Sequence, residues 1–405
     1  MSNTNFTTIL NELLNKFNDT PVSPQENDLW DRLKKTGTEL WLDTGDIDAA
    51  KELWNSNFTA LTTNNTLLNK EVQKGIYDNI IKDAALFYDK LNIDRKVKEI
   101  ALVLNALHGL RLVKIFNAKV SVELHTDLAH DIDGIVHFGS KLHNVDPDHF
   151  IIKVPFTAEG LIGARKLHDK GIPVNFTLMF SARQNILAAM IAQPAYSNVF
   201  LGRIGAFLKD NDLGSSDFIG EQVTNATQKN LTELRGKGKT KTKLIAASIR
   251  NWKQLLLLKG LDVYTMPIAV ASGALDNLDP SNNIPFEQPG EINLTSNISG
   301  LEKLWHVNEK VFETAEYLST KITSSGDEII EIAKEKGLED MFPILNEEEK
   351  QTIMTDGKIP VFKHWKEEIS KNKTAIDSLL NLSGLYAFKK DQEALDNRIK
   401  QKLTS

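Results

Sequence analysis

Phe150-Ile151-Ile152-Lys153-Val154-Pro155-Phe156 is an apolar run broken by a single charge. A short run of this kind reads as a strand buried on both faces, as in parallel sheets. A lysine inside it loses its hydration shell, and an unpaired buried amine is pushed toward its neutral form. A neutral amine in a water-poor site is a nucleophile able to form Schiff bases with carbonyl compounds. The competing reading is structural: an ammonium that reaches a barrel mouth or pairs with a carboxylate. What the other strands carry decides between the two.

Outward from this run, short apolar segments alternate with amphipathic ones. Strands are expected over 39–43, 60–63, 120–124, 150–154, 174–179, 199–204, 244–249 and 263–267. Helices are expected between them, over 46–55, 67–91 with 93–110, 130–142, 158–170, 182–193, 220–235 and 251–258. Eight such repeats predict an α/β fold, a parallel (β/α)8 TIM barrel. A doubly wound open sheet is the alternative, but no glycine-rich fingerprint follows the first strand.

Phe6, Ile9, Leu10, Leu13, Leu14 and Phe17 fall on one helical stripe, predicting an N-terminal helix packed on a larger body. The reading therefore divides the chain into an N-terminal helical segment (1–38), a catalytic barrel (39–275) and a loop with a C-terminal helical extension packed on the barrel (276–405). Residues 276–300, rich in Asn, Asp, Pro and Ser, read as a long loop. Helices follow over 309–322, 327–336, 361–369, 376–382 and 385–403. The extension carries no chemical motif.

At 41% hydrophobic residues the chain can bury a large core, and a net charge of −6 argues against general binding to nucleic acid or membrane surfaces. The absence of cysteine excludes disulfides, thiol catalysis and thiolate metal sites. Met1-Ser2-Asn3-Thr4-Asn5 is not a basic segment followed by an apolar one, and no apolar stretch approaches a membrane span. A soluble cytoplasmic protein is expected. The basic run from Arg235 to Lys243 reads as a solvated turn before a strand rather than a phosphate site.

The period of two puts Lys153 on the face of Ile151 and Pro155, inward in a barrel. It also puts polar residues near the ends of the other strands: Asp43; Thr62-Thr63-Asn64; Glu123 and His125; Asn175, Thr177 and Ser181; Arg203; Ser248 and Arg250. Barrel enzymes gather their chemistry at these C-terminal strand ends. Each residue has a plainer reading. Asp43 suits a helix cap, a role for which Asp46 competes, and Glu123 suits a counter-charge for Lys153. Thr177 suits a strand former, His125 a satisfied structural histidine, and the arginines suit surface ion pairs. Two arginines ending adjacent strands, however, suit bidentate phosphate binding.

From Leu40 to about Leu275 the chain resembles the transaldolase family. The carrying segments are Leu40-Trp41-Leu42-Asp43-Thr44-Gly45-Asp46, Leu61-Thr62-Thr63-Asn64, Val120-Ser121-Val122-Glu123 and Ile151-Ile152-Lys153-Val154-Pro155-Phe156-Thr157. The series continues through the segment from Gly171 to Ser181, then Phe200-Leu201-Gly202-Arg203-Ile204 and Ala247-Ser248-Ile249-Arg250-Asn251. The resemblance implies a class I aldol mechanism with no metal and no cofactor. Lys153 would form an iminium with a ketose phosphate, and Asp43 would exchange the proton of the C4 hydroxyl. Glu123 and Thr177 would move protons through a water. Asn64 and Asn175 would hold the dihydroxyacetone unit, with Ser181 beside them. Arg203, Arg250 and Ser248 would hold the phosphate. Sugar phosphates would be the partners, and family members are often homodimers, although no segment here marks an interface.

Three departures stand out. Asn65 follows Asn64 where the family usually has proline. Near the sixth strand a one-residue shift leaves either Ser197 or Asn198 in the position of a serine; Asn198 is the expected contact. His125 stands where no histidine is expected. All three are read as lying near the substrate's hydroxyls or phosphate. The alternatives to a transferase are a relative that cleaves fructose 6-phosphate directly or acts on another sugar, and a sugar-phosphate binding protein without turnover.

Overall fold

The computed structural model describes residues 3–279, 284–321 and 323–404. Residues 1–2, 280–283 in the expected loop, Ile322 at the end of the expected helix 309–322, and Ser405 lie outside them.

Eight parallel strands close on themselves in sequence order. They are β1 (Glu39–Asp43), β2 (Phe58–Thr62), β3 (Lys119–Glu123), β4 (Phe150–Pro155), β5 (Val174–Thr177), β6 (Tyr196–Phe200), β7 (Lys243–Ala247) and β8 (Val263–Met266). Pairing of Leu40 with Tyr264 and of Trp41 with Thr265 joins β1 to β8 and completes the (β/α)8 barrel. Alternate residues point inward. Trp41, Ala60, Ile151, Tyr196, Ile245, Ala247 and Val263 form an apolar cluster of their own inside the ring. Outward-facing Leu40, Leu42, Val122, Ile152, Val154 and Phe176 join the larger core beneath the helices. Two residues further along the strands from the inner cluster, the inward positions turn polar: Asp43, Thr62, Lys153, Asn198 and Thr265. The same alternation that fills the barrel thus delivers charged groups at its C-terminal end.

The stripe Phe6, Ile9, Leu10 and Leu13 is buried in the helix Asn3–Leu14, which packs on the helix Ile93–Phe116. The expected helix 67–91 is two helices, Asn65–Gln73 and Asp78–Leu86, because Gly75 takes a left-handed φ of 84° between them. The expected helix 251–258 keeps a regular turn only over Lys253–Leu256.

The sixth strand is displaced from its expected bounds of 199–204. It runs over Tyr196–Phe200 and passes without a loop into the helix Leu201–Asp210. The apolar run Val199-Phe200-Leu201 straddles both elements. Leu201, Ile204, Phe207 and Leu208 are buried at helical spacing, so Arg203 stands in the first turn of a helix rather than at a strand end.

Beyond the barrel the helices are Glu309–Thr320, Gly326–Glu335, Glu347–Asp356, Phe362–Ser370 and Ile376–Thr404. The last is a single 29-residue helix rather than the two expected. At 1.5 Å per residue it is about 44 Å long. Gly384, which suggests a break, lies inside it. A Cβ there would stand 2.8 Å from Leu178 Cδ2 and 3.2 Å from Arg203 Nη1. Glycine lets this helix pass close over the end of β5, and Asn381 donates hydrogen bonds to the carbonyls of Phe156 (3.0 Å) and Leu178 (2.8 Å) there. Among the described residues, no helix is long and apolar enough to cross a membrane.

Candidate active site

A cavity of about 400 Å³ opens at the C-terminal ends of the strands. Asp43, Asn64, Lys153, Asn175, Asn198, Arg203, Ser248 and Arg250 line it. Lys153 is 5% exposed, and its amine donates to the Thr63 carbonyl at 2.5 Å. No carboxylate of the described residues closes an ion pair with it; Asp43 and Glu123 act on it only through the longer-range field.

Asp43, half-buried, accepts from Thr62 Oγ1 at 2.9 Å, and Thr62 shares a 2.7 Å hydroxyl contact with Thr265. Burial raises the Asp43 carboxyl above its usual range, against the opposing attraction of Lys153, the Thr62 hydrogen bond and Arg250. Thr265 is inward with Val263 by the period of two and was left out of the sequence reading. Asn175 pairs in register with Lys153 and donates to Ser121 Oγ at 3.0 Å, leaving its Oδ1 without a partner among the described residues. Asn64 caps the helix Asn65–Gln73, its Oδ1 accepting from Leu67 N at 2.8 Å.

Glu123 and Thr177 do not line the main cavity. Glu123 pairs in register with Lys153 on β4 and is 4% exposed. It faces a smaller cavity of about 40 Å³ behind the site, shared with Asn65, Asn105, His125 and Gln392. Burial raises its carboxyl, opposed by Lys153, by the Asn65 N–H and by Arg203. Thr177 is fully buried, opposite Pro155 in register, and its hydroxyl has no partner among the described residues.

Asn65 is where the departure from proline has physical meaning. Its backbone N–H donates to Glu123 Oε2 at 2.9 Å, and its side chain donates to the Leu124 carbonyl at 3.1 Å. Proline has no N–H to give, yet suits the first position of a helix, which Asn65 occupies. Asn65→Pro should therefore fold while withdrawing a hydrogen bond from the ionised form of Glu123. Loss of that bond raises the Glu123 pKa further, so activity at acidic pH should fall more than at alkaline pH. The acidic limb of the kcat profile should move upward; an unmoved limb would separate Asn65 from Glu123's protonation.

The phosphate-type residues converge from different elements. Ser248 and Arg250 follow β7 in the turn beyond Ala247, where Ser248 takes a left-handed φ of 62°. Gly202 makes their approach to the helix Leu201–Asp210 possible: a Cβ there would lie 2.1 Å from the Ser248 carbonyl and 2.7 Å from Arg250 Cγ. Arg203 is 8% exposed, between the rings of Phe200 (5.4 Å) and Phe388 (5.5 Å). Its Nη1 has no partner among the described residues. Burial, helped by the Arg250 charge, lowers its pKa to about 10. A buried guanidinium with an unused donor beside a second guanidinium is arranged for an anion.

The expected contact Ser181 and the departure at His125, read as lying near the substrate, are both placed elsewhere. Ser181 is absent from the cavity lining: it caps the helix Ala182–Ile191, accepting from Gln184 N at 3.2 Å, and donates to Asp377 at 2.6 Å. The Ser181-Ala182-Arg183-Gln184 spacing is a capping signature readable in the sequence. His125 faces the C-terminal helix rather than the substrate cavity, its Nε2 3.3 Å from Asp396. In β6, Asn198 faces the cavity, whereas Ser197 is fully buried outside its lining. Phe388, Lys358 and Ile359 also line the cavity, all from the extension in which no motif was legible. No group of three or more His, Asp or Glu side chains able to hold a metal ion occurs among the described residues.

Comparison with known proteins bears on the family rather than on individual side chains. A family model described as Transaldolase/Fructose-6-phosphate aldolase matches residues 40–322. A transaldolase of Protochlamydia amoebophila is 29% identical over 300 residues, spanning 72% of this chain and 88% of the relative. A probable transaldolase of Dictyostelium discoideum is 28% identical over 308 residues, 71% of this chain and 92% of its own length. One from Bacteroides thetaiotaomicron is 33% identical over 172 residues, 42% of this chain and 71% of the relative. With a closed eight-stranded barrel, a buried lysine at its mouth and a family match over most of its length, the chain belongs to the Transaldolase/Fructose-6-phosphate aldolase family of enzymes.

Proposed function

We propose that this enzyme is a transaldolase that moves a dihydroxyacetone unit between sugar phosphates through a Schiff base on Lys153. The donor and acceptor pair would be sedoheptulose 7-phosphate and glyceraldehyde 3-phosphate, giving erythrose 4-phosphate and fructose 6-phosphate. The observation that carries the proposal is the buried Lys153 amine in one cavity with Asp43 and with the paired guanidiniums of Arg203 and Arg250.

The Lys153 amine attacks the C2 ketone, and loss of water leaves an iminium that accepts the electron pair of the breaking C3–C4 bond. Asp43 takes the C4 hydroxyl proton as that bond breaks. Its raised pKa, set first by burial, suits a group that must both take and return a proton. Glu123, flanking Lys153 on β3, and Thr177 on β5 serve dehydration and hydrolysis through a water. Asn64 and Asn175 offer amides to the retained hydroxyls, with Asn198 on the facing wall. Arg203, Arg250 and Ser248 take the phosphate, aided by the uncapped first turn of the helix Leu201–Asp210. A place in the pentose phosphate route, the cytoplasm as compartment and a homodimeric form belong to the same proposal.

Borohydride reduction in the presence of fructose 6-phosphate, followed by intact mass and peptide mapping, tests it. A dihydroxyacetone-sized or hexose-phosphate-sized adduct on Lys153 is expected; no adduct refutes the Schiff base. Product analysis separates the outcomes, since free dihydroxyacetone without an acceptor means direct aldol cleavage. Arg250→Ala should raise KM for phosphorylated sugars about tenfold or more, as loss of a charge-assisted contact implies. An unchanged KM for both donor and acceptor would remove Arg250 from the phosphate site.

A further inference from the structure

The cavity does not end at the two arginines. Arg203, Ala206 and Asp210, at successive turns of one face of the helix Leu201–Asp210, all line it. Seven residues at 1.5 Å each carry this wall about 10 Å from the arginine outward. At the far end stand Lys358 and Ile359, from a turn between the helices Glu347–Asp356 and Phe362–Ser370. Both residues fall outside the segment that the family model matches.

This turn is tied down. Asn211, which caps the far end of the cavity wall, donates from Nδ2 to the Pro360 carbonyl at 3.0 Å and accepts from Phe362 N–H at 2.7 Å. Asp356 closes it from the other side, accepting from Val361 N–H, Trp365 Nε1 and His364 Nδ1 at 2.8–2.9 Å. Gly357 supplies the left-handed corner, φ 81°. A lysine on a loose loop samples many positions, whereas the backbone of Lys358 is fixed at the cavity mouth. Neither Lys358 nor the Asp210 carboxylate on the same rim closes an ion pair among the described residues. An exposed, unpaired ammonium at the entrance to a cavity that ends in two guanidiniums extends the positive field toward solvent.

We propose that Lys358 is a specificity-determining residue that captures the phosphate of incoming sugar phosphates and selects them over unphosphorylated sugars. The proposal rests on the sugar-phosphate reading of the cavity given above.

Titration calorimetry on the full chain carrying Lys153→Met, in which no Schiff base forms, makes the test independent of turnover. Adding Lys358→Ala should weaken binding of fructose 6-phosphate and of inorganic phosphate about threefold to tenfold at low salt, the scale of one unit charge acting on a phosphate about 10 Å away through a partly screened field. Lys358→Arg should retain most of the affinity, and Lys363→Ala, on the neighbouring helix, should have no effect. The Lys358→Ala loss should shrink at 1 M salt, where the screening length is about 3 Å. Equal affinities with and without Lys358, or an equal loss for unphosphorylated fructose, overturn the assignment. So does absence of phosphate binding by the Lys153→Met chain. Failure of the transaldolase reading is seen separately, as absence of a borohydride adduct on the otherwise unaltered protein.

Discussion

Lys153→Met should reduce turnover of fructose 6-phosphate with an aldose phosphate acceptor by about four orders of magnitude or more, the scale seen when a covalent nucleophile is removed. Methionine keeps an unbranched chain of similar length, so the packing against the inner barrel layer should survive. The change removes one amine and its hydrogen bond to the Thr63 carbonyl. Far-ultraviolet circular dichroism should be unchanged while the borohydride adduct disappears. Residual activity within about tenfold of the parent would mean that covalent chemistry is not the route, because orientation and the phosphate contacts alone would then suffice.

Asp377→Ala should destabilise the protein by roughly 3–5 kcal/mol, the usual result of stripping one partner from a buried ion pair. Arg183, 4% exposed, donates from Nε and Nη2 to the two Asp377 oxygens at 2.8 and 2.7 Å and from Nη1 to Asp340 at 2.9 Å. Asp377 is fully buried and also accepts from Ser181. Asp340 takes a further contact from Lys303 at 2.7 Å. Burial disfavours the Arg183 charge, but the two carboxylates outweigh it and hold its pKa above the usual value. Removing Asp377 leaves that charge half-compensated in the interior. A urea titration reads the loss, and limited proteolysis should cut first in the helix Ile376–Thr404. The exposed pair Lys371 with Glu367 makes the contrast: Glu367→Ala should leave the urea midpoint nearly unmoved, because solvent screens both charges. A comparable small effect for Asp377→Ala would show that the network is not what fastens the extension.

The barrel was legible because its signal is periodic and repeated: eight apolar segments, each alternating between an inward polar end and an outward apolar face. Lys153 was legible for the same reason, as a charge on the inward phase of a buried strand. Boundaries failed where two elements share one apolar run. Val199 to Ile204 is strand, junction and helix in six residues, and no local feature marks Phe200 as the corner. The gap expected between 382 and 385 failed in the other direction: the helix runs on through it, and Gly384 there serves close approach to Leu178 and Arg203. Ser181 was placed by the strand register when its capping spacing gave the better reading. The contributions of Lys358 and Phe388 were not legible at all. Each reaches the cavity across more than 150 residues of chain from the Arg203 region, and nothing local distinguishes that lysine from its solvated neighbours.

The order in which the chain is made gives the C-terminal helix a temporal meaning. The strands that carry Asp43, Glu123 and Lys153 leave the ribosome well before Asn381, Phe388 and Asp396 exist. Until then the ends of β4 and β5 lack the amide that binds both, and the Arg203 guanidinium lacks the ring above it. A barrel without this helix therefore lacks the amide that links the ends of β4 and β5, and its cavity lacks the wall that Phe388 supplies.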